Sequence, residues 1–151
     1  MTATASFHEE IIISAFMIFV TVFFHAVVIS ASASIFRATK MHFWGPVRFA
    51  YDAFILTIAG LVLSAAHGAE IWAWAQLFLK LNAFGDFETA FYFSSAAYTT
   101  LGFGDVLLPP EWRQLAGTIA ADGLLLFGMS AAFLLETAAR LRLGGERINH
   151  S

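Results

Sequence analysis

Three long apolar runs divide the sequence, and a fourth, much shorter one separates the second from the third. The first, Ile11 to Ile35, holds no charged residue, only His25 and small polar side chains, and is long enough to cross a bilayer as a helix. Its 25 residues exceed a signal-peptide core, and Glu9 and Glu10 stand where such a peptide would carry basic residues, so a retained span is expected. The second begins after Pro46, and Val47 to Leu81 reads as helix with Asp52, Glu70 and Lys80 as its charged punctuation. As one helix it would measure ~50 Å against a ~30 Å hydrocarbon core, so it must tilt or protrude. The third runs from about Arg113 to Leu143, comes after Pro109-Pro110, carries Asp122 inside it, and is expected to stop at Gly144-Gly145.

The short run, Phe87 to Ala97, is apolar and aromatic but cannot span. Asp86 suits an N-cap and Glu88 a first turn, so the pattern predicts a helix of about three turns ending at Thr99-Thr100. Non-helical backbone at membrane depth survives only where protein buries it or water bathes it, so the segment after this helix must line a cavity. The negative end of the helix dipole would favour a cation there.

Composition agrees with a membrane setting: the 151 residues are 59% hydrophobic, include 17 Phe and 4 Trp, and are only 13% charged. A soluble domain of this size would need far more polar surface. With no cysteine there is no disulfide framework, thiolate metal site or thiol nucleophile. Six of the eight basic residues fall in two places, Arg37, Lys40 and Arg48 between the first two spans and Arg140, Arg142 and Arg147 after the third. The positive-inside rule makes that side cytoplasmic and puts the N-terminus outside. The outer side then holds Glu9, Glu10, Asp86, Glu88, Asp105 and Glu111 against Lys80 and Arg113, a negative mouth that concentrates cations. No basic run is interleaved with aromatics, so nucleic-acid binding has no support.

The short helix leads into Thr99-Thr100-Leu101-Gly102-Phe103-Gly104-Asp105. A stripped potassium ion needs a cage of oxygens, and carbonyls of consecutive residues from four extended strands can supply stacked cages. Gly102 and Gly104 can take positive φ, which lets neighbouring carbonyls face one side, and Thr100 adds a hydroxyl to the deepest cage. One chain carries one such strand, so the reading requires four copies around an axis, a homotetramer. The expected fold is an all-α membrane protein: three transmembrane helices with a re-entrant pore helix and filter loop, in a plasma or inner membrane. Residues 1–46 make an N-terminal transmembrane helix and basic link, 47–142 a pore module, and 143–151 a short tail.

An outer helix, a short pore helix, this motif and an inner helix entered through Glu111-Trp112-Arg113 together resemble the pore module of potassium channels, over about residues 47–142. The resemblance implies that Thr100, Leu101, Gly102 and Phe103 supply the oxygens that coordinate K+, and that Thr99, Gly104 and Asp105 shape the filter and its outer mouth. It implies no cofactor beyond the permeant K+. Leu101 and Phe103 replace the commoner Val and Tyr; no carbonyl is lost, but Phe103 lacks the hydroxyl with which Tyr ties a filter to surrounding pore helices. Some members carry a carboxylate where this chain has Ala96, so no partner for Asp105 is expected at that position.

Other residues admit two readings each. Asp122, ionisable inside a span, faces either the cavity, where four copies would enrich cations and bind internal polycations, or a neighbouring helix, hydrogen-bonded to Ser94 or Ser95. Gly123 and Gly128 mark either a gating hinge in the inner helix or close packing against a neighbour. No two of His8, His25, His42 and His67 share the i, i+4 spacing of a helical metal-ligand pair, so His25 and His67 are expected as hydrogen-bonded interior groups and His42 as a contributor to pH sensitivity. Glu70 is expected to reach the outer interface or a pore-helix partner. Trp72, Trp74 and Trp112 fit an outer aromatic belt and Trp44 an inner one. The first span lacks the arginine row of a voltage sensor and is expected to pack peripherally on the outer helix. Competing functions are a non-selective cation channel, a non-conducting membrane assembly subunit, and an intramembrane aspartyl protease using Asp52 and Asp105. The protease reading rests on the pairs Tyr51-Asp52 and Gly102-Phe103-Gly104-Asp105, but topology places the two carboxylates ~30 Å apart.

Overall fold

The computed structural model describes residues 7–38 and 46–149, with side chains described over 7–36 and 47–141. The expectations for Lys40, His42 and Trp44, and for the side chains of Arg37, Arg142 and Arg147, lie outside the described residues. Helices α1 (Phe7–Ala38), α2 (Pro46–Lys80) and α4 (Arg113–Asn149) are long and apolar enough to cross a membrane, and α3 (Phe87–Tyr98) is the short helix between α2 and α4. Among the described residues there is no strand. The chain is an all-α integral membrane protein, as the apolar pattern predicts.

The joints arise from local chemistry. At the end of α2, Asn82 turns left-handed at φ 52°, a conformation asparagine tolerates better than most residues. The reversal lets Ala83 N donate to Phe78 O at 2.9 Å, satisfying a carbonyl that the helix end leaves open. Three residues on, the Asp86 carboxylate accepts from Thr89 N at 2.8 Å and caps α3. Those bonds hold the Asp86 carboxyl below its ordinary value. Pro110 opens a single 3-10 turn, Pro110–Trp112, before α4, since proline lacks the N–H that a first helical position leaves unused. The Glu10 carboxylate of α1 then accepts from Gln114 N at 3.2 Å, placing negative charge against the positive end of α4. At its far end α4 does not stop at Gly144-Gly145 but continues to Asn149. Each glycine costs about 1 kcal/mol relative to alanine, and the surrounding Leu, Arg and Glu residues, without a proline, sustain the helix.

A ladder of contacts sets the packing. Glu10 meets Gln114, Ser14 Oγ meets Thr118 Oγ1 at 2.9 Å, and Thr21 meets Asp122, so α1 and α4 run parallel in step. Trp74 meets Asp122 while Arg48 Nη2 donates to Leu141 O at 2.7 Å, so α2 runs antiparallel to both. Helix α1 therefore packs on the inner helix as well as the outer one, closer to the pore module than a peripheral anchor. Small and polar side chains at these crossings let the helices approach and bond within lipid. Buried Phe78, Phe93, Tyr98, Leu115, Ile119 and Leu126 fill the space where α3 enters between α2 and α4. Phe78 and Phe93 meet edge to face, ring centroids 5.4 Å apart. The outward side of α1, including Phe16, Phe19, Phe23 and Val27, is exposed and suits lipid.

Candidate ion-conduction site

Helix α3 ends inside the bundle and the chain then changes backbone hand at every second residue. Thr100, Gly102 and Gly104 take positive φ of 59°, 50° and 80°, while Leu101 and Phe103 between them do not. In an ordinary strand successive carbonyls point to opposite sides; alternating the hand brings them round to one side. The two glycines adopt this conformation at little steric cost. Thr100 does not, since a β-branched residue at positive φ is strained by about 1–3 kcal/mol. Nothing in the composition of the motif announces that strain. It is held in place from the helix side: Thr100 N donates to Ala97 O at 3.0 Å, and Leu101 N and Gly102 N both donate to Ala96 O at 2.9 and 3.1 Å. Thr99 turns its hydroxyl back to Ser95 O at 2.8 Å. The amides are thus engaged by the pore helix, leaving the carbonyls of the segment available for a cation.

Asp105 has a partner after all, though not at position 96. Tyr92, one helical turn before Ala96 on the same face of α3, donates its hydroxyl to Asp105 Oδ2 at 2.7 Å. This bond holds the Asp105 carboxyl below the ordinary carboxylate value. It ties the segment beyond Gly104 to α3. The signal was in the sequence as Tyr92-x-x-x-Ala96, legible only once the turn of the helix is drawn.

Asp122 is 1% exposed and faces neither the cavity nor Ser94 and Ser95. Its oxygens accept from Thr21 Oγ1 at 2.9 Å and Trp74 Nε1 at 2.9 Å, joining α1, α2 and α4. Ser95 bonds Phe91 O within its own helix, and the buried Ser94 hydroxyl is left without a partner. Trp74 is accordingly no belt residue: it is fully buried, whereas Trp72 is exposed. Gly123 packs directly against the end of the pore helix, since a Cβ there would lie 2.0 Å from Tyr98 O. The close-packing reading holds for that position. Gly128 has nothing within 4 Å of a built Cβ and stays open to a hinge role.

Around Tyr98, at the C-terminal end of α3, lies a buried polar cluster that spacing within single helices did not reveal. His25 of α1, His67 and Glu70 of α2, Tyr98 of α3 and Ser130 of α4 meet in one network. The i, i+3 pair His67 and Glu70 was its one local sign. His25 arrives from a helix 45 residues away in sequence from Glu70. Its place is nonetheless rhythmic: Thr21 and His25 on α1, and Glu70 and Trp74 on α2, are each one turn apart, so the Asp122 contacts and this cluster form adjacent layers.

The protease pairing fails on geometry. Asp52 sits at the start of α2, 3.6 Å from Arg48. Glu70, at the depth where the pore helix ends, lies about 27 Å further along the same helix, and Asp105 is tied to Tyr92 beyond it.

No curated protein and no solved structure matches the chain significantly. A family model described as ion channel matches residues 62–140, more than half of the sequence, from mid-α2 through α3 and the segment after it into α4. The chain belongs to this ion channel family.

Proposed function

We propose that the chain is one quarter of a potassium-selective channel in a plasma or inner membrane, with its N-terminus outside and K+ passing down its gradient through carbonyls of Thr100, Leu101, Gly102 and Phe103. The observation that carries this reading is the alternation of positive φ at Thr100, Gly102 and Gly104 at the C-terminal end of a capped re-entrant helix. Alternation of hand supports a row of carbonyls on one side, and the negative helix end favours a cation beside them. A tetramer is supported by what one chain leaves uncovered: Leu101 is 57% and Phe103 70% exposed, apolar side chains that copies around an axis would bury. The orientation is supported by Arg48 and Arg140 at the end of the bundle opposite the filter mouth.

Purified protein in planar bilayers, with K+ and Na+ gradients opposed, tests this directly. Currents reversing near the K+ equilibrium potential are expected. Reversal midway between the two equilibrium potentials would replace the reading with a non-selective cation channel, and absence of current from an assembled oligomer with a non-conducting subunit.

A further inference from the structure

The cluster around Tyr98 can be read as a proton inventory. His25 Nδ1 lies 2.8 Å from Glu70 Oε1, and Tyr98 Oη donates to Glu70 Oε2 at 2.5 Å. His67 Nδ1 lies 3.2 Å from Glu70 Oε2 and 2.8 Å from Tyr98 Oη, so it shares one proton with that pair. Both Nε2 atoms, of His25 and of His67, lie 3.0 Å from the single hydroxyl of Ser130. Making all these bonds takes five protons: one between His25 and Glu70, two in the triangle of Glu70, Tyr98 and His67, and two at Ser130. Tyr98 and Ser130 bring one each, which leaves three for Glu70, His25 and His67. An ionised carboxylate and two neutral imidazoles bring only two. The complete network therefore holds one proton more. It sits either on an imidazole beside an ionised Glu70 or on Glu70 beside two neutral imidazoles, and in both forms the cluster is neutral.

Removing that proton leaves a net negative charge and one unmade bond in a site where His25 and Tyr98 are 0% exposed and Glu70 2%. Burial makes both expensive. The groups facing the cluster are His25 from α1, His67 and Glu70 from α2, Tyr98 from α3, and Ser130 from α4. Asp122 is the next charge, occupied by Thr21 and Trp74. Among the described residues neither Glu70 nor Asp122 pairs with a lysine or arginine, so no fixed cation substitutes for the proton.

Tyr98 is the last residue of the pore helix and immediately precedes Thr99-Thr100, while its carbonyl is the atom against which Gly123 packs. We propose that His25, His67 and Glu70 are positioning residues for the filter: one shared proton completes the ring of bonds, closed at Ser130, that braces Tyr98 among α1, α2 and α4, so α1 is a working part of the filter's support and conduction depends on pH through it. This rests on the reading of Thr100 to Phe103 as the filter. Raising pH until the proton leaves unmakes one of the two bonds at Ser130, which detaches one imidazole of the ring from α4 and loosens the brace around Tyr98, so steady K+ current falls as pH rises. His25→Gln, which keeps an amide donor and cannot titrate, conducts with that step removed.

The experiment records K+ current from the full chain in planar bilayers across the pH range, for wild type and His25→Gln, with the K+/Na+ reversal potential measured on the same membranes. Loss of K+ selectivity in wild type would sink the filter reading; intact selectivity with identical pH profiles in both proteins would sink only this proposal. Should His25→Gln fail to assemble, ring-nitrogen and carboxyl NMR shifts of labelled wild-type protein decide the matter. Loss of one proton shared by His25, His67 and Glu70, over the same pH range as the current, is expected. Proton counts that stay fixed while the current changes overturn the proposal. A current profile displaced by a chelator overturns it too, because the three side chains would then be holding a metal ion.

Discussion

Gly123→Ala is the sharpest perturbation this packing allows, because it adds one methyl group at the contact between inner helix and filter support. The new Cβ would lie 2.0 Å from Tyr98 O, 2.9 Å from Tyr98 C and 3.0 Å from Tyr98 Cγ. Ordinary contact begins at 3.4 Å, so the helices must separate locally by about 1.4 Å. The obstacle is backbone, the carbonyl of the residue that leads into the filter, and it cannot rotate aside as a flexible side chain would. Overpacking of this kind costs about 1–3 kcal/mol, and a rigid neighbour places it towards the upper end. Alanine returns about 1 kcal/mol of helix propensity. The net loss is then about 1–2 kcal/mol, a factor of about 5–30 in the folded-to-unfolded ratio. Gly128→Ala is the internal control, since it gains the same propensity and meets nothing within 4 Å. Thermal unfolding in detergent and K+ flux in liposomes should therefore separate the two: Gly123→Ala destabilised with reduced flux, Gly128→Ala at least as stable as wild type. A Gly128→Ala channel that opens normally argues against a hinge there. Equal stability and flux for both variants would refute the packing argument.

Tyr92→Phe removes the bond that ties Asp105 to the pore helix. Asp105 is held below its ordinary value of 3.8, so the tie contributes fully above that value and is lost as outer pH falls through the lowered one. Wild-type channels should keep their ion selectivity until the outer solution is more acidic than about pH 4. Tyr92→Phe channels should already pass more Na+ at neutral pH, and reversal potentials against outer pH check both statements. Asp122→Asn weakens the joint among α1, α2 and α4 by about 1–3 kcal/mol, the usual cost of leaving a buried hydrogen-bonding group imperfectly paired. Lower thermal stability with unchanged block by internal polycations is expected, and weakened block would return Asp122 to the cavity.

The architecture was legible because each of its determinants is local or compositional. Apolar run length predicts the three spans, Asp86 the start of α3, and Gly102 and Gly104 two of the three positive φ values that follow it. The support of the segment after α3 was not legible, because it is built from single residues on helices distant in sequence. His25 looks like an isolated polar residue in an apolar run until α1 is laid parallel to α4 and antiparallel to α2. Asp122 looks like a pore acid until Thr21 and Trp74 are brought to it. Trp74 looks like an interfacial aromatic until its indole is seen to be buried.

The proposed filter is held at one remove. Phe103 has no hydroxyl and Ala96 no carboxylate, so neither side chain can tie the Thr100–Phe103 segment by a polar contact. The ties present lie one layer further out, from Tyr92 to Asp105 and from Tyr98 to Glu70. The inner of these is backed by α1, whose His25 closes the ring of Glu70, His67 and Ser130 and whose Thr21 donates to Asp122. Withdrawing α1 would leave the Glu70 and Asp122 carboxylates short of a donor within the bundle, a large penalty in a medium without water to replace it. The N-terminal helix is thus required to satisfy the buried polar groups of the pore module, which is reason enough for its position against the inner helix.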